Sequence, residues 1–279
     1  TPFATIQRAI NTASNGDTIR LIPNVYFEEI NFDNKEVVLE SRAYELGMMA
    51  MIQETFFAPG PMGGSCFVLD GTSNDGATIR GISFRVGAVS YGGGIVLQNC
   101  SPTFIDAIVE DNTAEIGGGI FLSGSNAVFS NCIVQNNGSN IGGGIYITDG
   151  APLFDHLLIQ ENIAYWGAGI YSENAEPTIL NSQIRNNDAF IEGGGLYQFG
   201  GIGQIEWTSF EQNQGYDFGA GIVAREATMN LNQTTFEGNV SGTGSVMTCH
   251  GTAVEITNSI LWGNIGDQFY SSESAGITL

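Results

Sequence analysis

The chain has 279 residues, 29 of them acidic and 8 basic, for a net charge of −21. Hydrophobic content of 42%, with 10% aromatics, excludes a disordered acidic tail. The charge argues against a nucleic-acid or anionic-membrane partner, because both need a basic face, and no apolar run is long enough to span a bilayer.

The N-terminal stretch 1–91 reads as a cap followed by irregular coils. Thr1 starts directly in a folded-looking segment with no signal-peptide pattern, so a leader is expected to have been removed or never present. Between Thr5 and Ala13, Ile6 and Ile10 stand at helical spacing, which predicts a short amphipathic helix covering the open end of the fold. Runs at 18–22, 28–32 and 36–40 alternate like strands, and 41–64, with Pro59, Gly60 and Pro61, reads as an excursion loop.

From residue 92 to 264 the sequence is an array. A glycine motif begins at Gly92, Gly117, Gly142, Gly167, Gly193 and Gly219, and an asparagine recurs at Asn112, Asn137, Asn162, Asn187, Asn213, Asn239 and Asn264. Both markers step by 25 or 26 residues. Three residues before each asparagine stand Val109, Val134, Ile159, Ile184, Phe210, Phe236 and Leu261; eight before it stand Phe104, Phe129, Phe154, Ile179, Ile205, Leu231 and Ile256. Apolar β-branched or aromatic positions in short runs, with no sustained helical period, predict strands. Units this short, without helices, wind as a β-solenoid in which each strand pairs in parallel with its copy one coil on. The expected architecture is all-β: a right-handed parallel β-helix of about ten coils of about 25 residues, each with three short strands and three turns, roughly 48 Å long. The asparagines become an inward ladder at one turn, and the glycines supply a sharp turn rather than a phosphate loop, since no helix or lysine follows. Residues 265–279 form the last coil. Its strand-like end, Ile277-Thr278-Leu279, leads us to expect a continuing chain or a covering subunit.

The stretch running from Thr5-Ile6-Gln7 through Gly16-Asp17-Thr18-Ile19 and Pro23-Asn24-Val25-Tyr26 to Glu29-Ile30 resembles the opening segment of pectin-lyase-like parallel β-helix proteins. The glycine array resembles the repeats of secreted bacterial β-helix surface proteins of the polymorphic outer-membrane and adhesin type. Thr257-Asn258-Ser259-Ile260-Leu261-Trp262-Gly263-Asn264 is similar to their last rung. The resemblance covers nearly the whole chain. It implies an extracellular or outer-surface location and a structural or adhesive module, with copies of itself, other surface proteins or extracellular glycans as partners. The same fold also hosts polysaccharide lyases, hydrolases and epimerases.

Catalytic residue types are scarce. The chain has one lysine, Lys35, and two histidines, His156 and His250. The best catalytic pair is His156 with Arg185, one coil apart, and it is weak because His156 sits in a polar outward column. The reading therefore leans away from an enzyme; if the chain is one, it is a polysaccharide lyase. No cofactor is expected. Calcium is the cation an acidic oxygen-rich surface would take, although Glu110-Asp111, Glu28-Glu29, Asp149 and Asp188 match no calcium motif. Cys132 fills a small-residue position of the repeat, while Cys66, Cys100 and Cys249 are disulfide candidates with no assigned pairing. Two aromatic sets are candidate binding residues. Phe121, Tyr146, Tyr171 and Tyr197 follow the glycine motif and, by strand alternation, should face outward as an exposed stripe. Tyr165, Trp166, Phe190, Tyr216 and Phe218 lie in the turn after the asparagine. Exposed rings at coil spacing would stack on sugars or on another protein.

Overall fold

The structure, a computed structural model, describes residues 3–272 and 276–278. Thr1 and Leu279, at the two ends of the expected fold, lie outside them. Strands stack in parallel, copy over copy, in an eleven-stranded sheet from Thr18–Leu21 to Gly276–Thr278 and a ten-stranded sheet from Asn24–Tyr26 to Ile260–Trp262. A third wall runs from Phe67–Asp70 through Ile145–Thr148 to the long strand Val240–His250. The register is one repeat per coil: Val134 pairs with Ile159 and Phe104 with Phe129. The result is a right-handed β-solenoid of about nine turns, close to the ten expected.

Most regular coils have four short strands rather than three, and in the coil of Asn137 the fourth is reduced to bridges at Gly138 and Ile141. The residues after the asparagine, such as Thr113–Ile116 and Ile163–Trp166, form an arm with its own parallel ladder. Four strands need four corners, and the backbone turns left-handed at each. One corner column is Asp106, Asn131, His156, Asn181, Trp207, Gln233 and Asn258, with φ between 50 and 57°. A second contains Asp111, Asn136, Glu161, Asn186 and Gln212, and a third Asn99, Asp149, Asn174 and Glu226. Asn and Asp tolerate this conformation best; nothing in the structure explains Trp207 there. The fourth corner is the first glycine of the motif, Gly117 and its copies. The third glycine has a different reason. A Cβ on Gly144 would sit 2.6 Å from the Gly169 carbonyl oxygen and 3.0 Å from the Asn162 amide nitrogen. The glycine and asparagine markers keep one period because the first makes room for the second.

The walls enclose a continuous core. Phe104 and Phe129 stack at 4.8 Å, Phe210 and Phe236 at 4.9 Å, and the two apolar columns are buried until Leu261 in the last rung. The asparagine amides run through this core as a chain of hydrogen bonds. In each link, Nδ2 donates to the Oδ1 of the next coil's asparagine, as Asn137 does to Asn162 at 3.0 Å. Nδ2 also donates to a backbone carbonyl, here Val109 at 3.1 Å. The Oδ1 additionally accepts the preceding asparagine's backbone N–H. Gly87 N–H closes the chain at Asn112, and Gln268 closes it at Asn264.

The N-terminal helix forms at Ile6–Thr12, with Thr5 as its cap. It buries Ile6 and Ile10 against Leu21, Phe32 and Leu39. Glu28 accepts from the N–H groups of Ile6 and Gln7, while Lys35 donates to the carbonyls of Ile10 and Asn11. A carboxylate at the helix start and an ammonium at its end satisfy terminal groups and complement its dipole. The region 41–64 is more ordered than a loop: it holds a short helix Arg42–Glu45 and the strand Thr55–Phe57, which joins the ten-stranded sheet. The run 28–32 is not a strand, although Ile30 and Phe32 are buried. All four cysteines are buried and free, so no disulfide forms. Burial pushes Cys66, Cys100 and Cys132 up to about 12 and Cys249 to about 11, which leaves them unreactive thiols.

Adjacent residues should respond in opposite directions. Asn162→Ala removes both amide bonds and orphans buried partners above and below, and should cost about 2–4 kcal/mol. Glu161→Gly relieves a left-handed φ of 56° at an exposed corner and should stabilise by about 1 kcal/mol. Urea unfolding midpoints of the two variants check both signs.

Candidate functional site

Strand alternation turns Phe121, Tyr146, Tyr171 and Tyr197 away from the core, and their rings stack at 5.4, 5.5 and 4.9 Å, within 9° of parallel. They are not the exposed stripe expected from the sequence. Phe121, Tyr146 and Tyr197 are buried and Tyr171 is half-buried. At the first rungs the arm causes this: the glycine corner folds it back over the rings, so Ile116 and Ile141 pack against the cluster of Val96, Phe121 and Tyr146. This ladder stiffens a wall and offers no ring face to a ligand.

Polar groups border its far end. Tyr146 Oη donates to Glu173 Oε2 at 2.7 Å. Burial, and then the neighbouring carboxylate, hold the Tyr146 phenol above its ordinary range; Tyr171 reaches about 12, also chiefly through burial. Arg225 Nη2 donates to both oxygens of Glu192 at 2.8 Å, and its guanidinium lies 6.0 Å from the Tyr197 ring centre. His250 is the register neighbour of Arg225; burial and then the Arg225 charge hold it below its usual range. Sequence reasoning missed this corner because Glu192 and Arg225 are 33 residues apart and share no column. Its cation is already occupied by an internal carboxylate.

The other catalytic candidates are not brought together. His156 sits at a left-handed corner with Nδ1 2.8 Å from Asp155 Oδ1. Arg185 lies in a strand of the ten-stranded sheet and donates from Nε to Gln160. Gln160 bonds Gln135, and Gln135 bonds Glu110, so Arg185 ends a polar ladder on the outer wall. Among the described residues, no group of three or more acidic, His or Cys side chains could hold a metal ion. None of their helices is long and apolar enough to cross a membrane.

The second aromatic set is open to solvent. Tyr165, Phe190 and Tyr216 each stand three residues after an asparagine of the ladder and are 46%, 53% and 69% exposed. Tyr165 and Phe190 approach to 5.6 Å between ring centres, and Trp166 flanks Tyr165 at 6.1 Å. Two residues before each ring is another outward position: Ile163, Asp188 and Gln214, which are register partners. The residues between, Ala164, Ala189 and Gly215, are buried and let the arm lie close against the coil. A groove of about 370 Å3 follows the arm, lined by Asp188, Phe190, Gln214 and Tyr216 and ending at Val240 and Gly242. Burial pushes the Asp188 carboxyl above its ordinary range. A second cavity lies beside the N-terminal helix, where Glu28 is already engaged by the helix N–H groups.

The family described as "Right handed beta helix region" matches residues 142–279. Two solved structures share the fold. A pectate lyase, Pel9A, is 12% identical at a TM-score of 0.53, covering 97% of this chain and 74% of its own. An alginate lyase from Paenibacillus sp. str. FPU-7 is 14% identical at 0.52, covering 98% and 96%. No curated protein matches the sequence. The chain is a right-handed parallel β-helix repeat protein.

Because the folded state of Asp188 prefers its proton, stability attached to this group is present below the ordinary carboxylate range and lost as pH rises through the raised value. Asp188→Asn removes that dependence. The variant should gain thermal midpoint over the parent at pH 7 and show no gain near pH 3, in paired melting curves.

Proposed function

We propose that this chain is a non-catalytic adhesive β-helix module displayed outside the cell, which holds glycans along the arm. The observation that carries this reading is the set of three exposed rings, Tyr165, Phe190 and Tyr216, on consecutive coils, the last two lining a mostly apolar groove edged by Asp188 and Gln214. Aromatic faces attract the C–H faces of sugars, while Asp188 and Gln214 supply acceptors and donors for hydroxyls. The two fold relatives are by name lyases of sugar polymers, which supports a carbohydrate setting. Against catalysis stand the separation of His156 from Arg185 and the internal pairing of Arg225 with Glu192. End-to-end assembly would have to displace the helix that covers the first coil. Side-by-side association through the same rings is the competing use of this surface.

Glycan-array binding tests the reading. Tyr216→Ala and Phe190→Ala should each weaken binding about tenfold, on the scale of one lost ring contact, with the melting midpoint unchanged. Binding unaffected by both variants, or a concentration-dependent dimer that both abolish, would sink it.

A further inference from the structure

This inference rests on the glycan reading and goes further, to the class of chain the arm accepts. We propose that the arm binds a neutral, extended β-linked polysaccharide running parallel to the solenoid axis, with one sugar ring per coil. Three features carry it.

The first is spacing. Tyr165, Phe190 and Tyr216 stand at the same place after the ladder asparagine on three successive coils, whose backbones rise by ~4.8 Å per coil, and the Tyr165 and Phe190 ring centres are 5.6 Å apart. An extended β-linked pyranose chain advances by a similar distance per ring. Lying along the axis, it would meet an aromatic face at each step; lying across the axis, it would meet only one.

The second is the parallel polar column. Asp188 and Gln214 are register partners on the same arm, each two residues before a ring. A sugar stacked on Phe190 or Tyr216 therefore has a hydrogen-bonding edge on one side. The column begins with apolar Ile163, so this edge spans the later two rungs.

The third is charge. The groove lining contains Asp188 and neither Lys nor Arg. Of the arginines on neighbouring elements, Arg225 is held by both oxygens of Glu192, and Arg185, three residues before Asp188, donates to Gln160 on the outer wall. Glu115 occupies the ring column two coils before Tyr165, and the whole chain carries −21. A polyuronate carries a carboxylate on every sugar and would bring one beside Asp188 with no cation in the groove lining to meet it, whereas a neutral chain meets no such penalty.

Isothermal titration calorimetry of the intact chain provides the test. The ligands are neutral oligomers of one to six units (cello-, xylo- and manno-oligosaccharides) and matched oligogalacturonates and oligomannuronates. Neutral affinity should rise roughly 3- to 10-fold per ring up to three or four units and then level off. It should be nearly unchanged between low and physiological salt. Phe190→Ala, at the centre of the ladder, should cut it at least tenfold, and Trp262→Ala, an exposed ring elsewhere, should not. Acidic oligomers should bind measurably only to Asp188→Asn or at high salt. Equal or tighter binding of acidic oligomers to the parent through Phe190 would overturn the inference and leave the glycan reading standing, as would neutral affinity independent of length. Absence of binding by every oligomer would overturn both.

Discussion

Six consecutive amide-to-amide hydrogen bonds, from Asn112 to Asn264, fix each coil against the next. A backbone-only solenoid could slip, because parallel strands of similar composition pair in more than one register. A buried asparagine cannot slip without leaving its Nδ2 and Oδ1 unpaired in an apolar core. The ladder therefore converts a repeating sequence into a single register. The surface columns exist only because that register holds: a ring stands above a ring and a carboxylate above an amide.

The same constraint shapes the glycine motif. Its first residue turns the chain at φ near +65° in every regular coil, and its third must lack a side chain beside the asparagine amide and the next coil's carbonyl. The middle position holds Ala168 and Ala220 in two coils, whereas a Cβ at Gly118 would meet the Gly143 carbonyl oxygen at 2.5 Å and one at Gly143 the Ala168 carbonyl oxygen at 2.6 Å. These glycines also place the arm, since the sharp corner returns it against the outward rings of the third wall. The cover over Phe121 and Tyr146 and the exposure of Phe190 and Tyr216 are thus two faces of one arm: its inner side hides a ladder and its outer side displays one.

What could be read from the sequence follows from this geometry. Column positions repeat, so the coil, its core residues, the asparagine chain and the helix at Ile6–Thr12 were legible from spacing alone. Alternation correctly assigned Tyr146 to the outside of its strand. It could not tell whether anything lay above, because cover depends on a turn angle and not on period. The four-strand coil was hidden for the same reason: the arm's short runs, such as Thr113–Ile116, alternate too briefly to stand out from a turn. Glu192 and Arg225 meet across a corner from different columns, which no single-column reading would pair. The early segment around 41–64 repeats nothing, so its strand Thr55–Phe57 carried no periodic signal.

The extent of each ladder separates structural rings from displayed ones. The covered column is apolar or aromatic in every regular coil, Val96, Phe121, Tyr146, Tyr171, Tyr197 and Val223. That is the pattern of a residue serving stacking, which every coil needs equally. The exposed column reads Glu115, Asn140, Tyr165, Phe190, Tyr216 and Gly242. It is aromatic in three coils and polar or bare on both sides of them. Coil stacking does not require the rings, because neighbouring coils stack without them, and burial does not hold them, because Tyr216 is 69% exposed. A ligand that touches only those rungs, as proposed above, would account for rings confined to them. The groove lined by Phe190 and Tyr216, with Asp188 and Gln214 along its wall, is where the proposed glycan contact would fall.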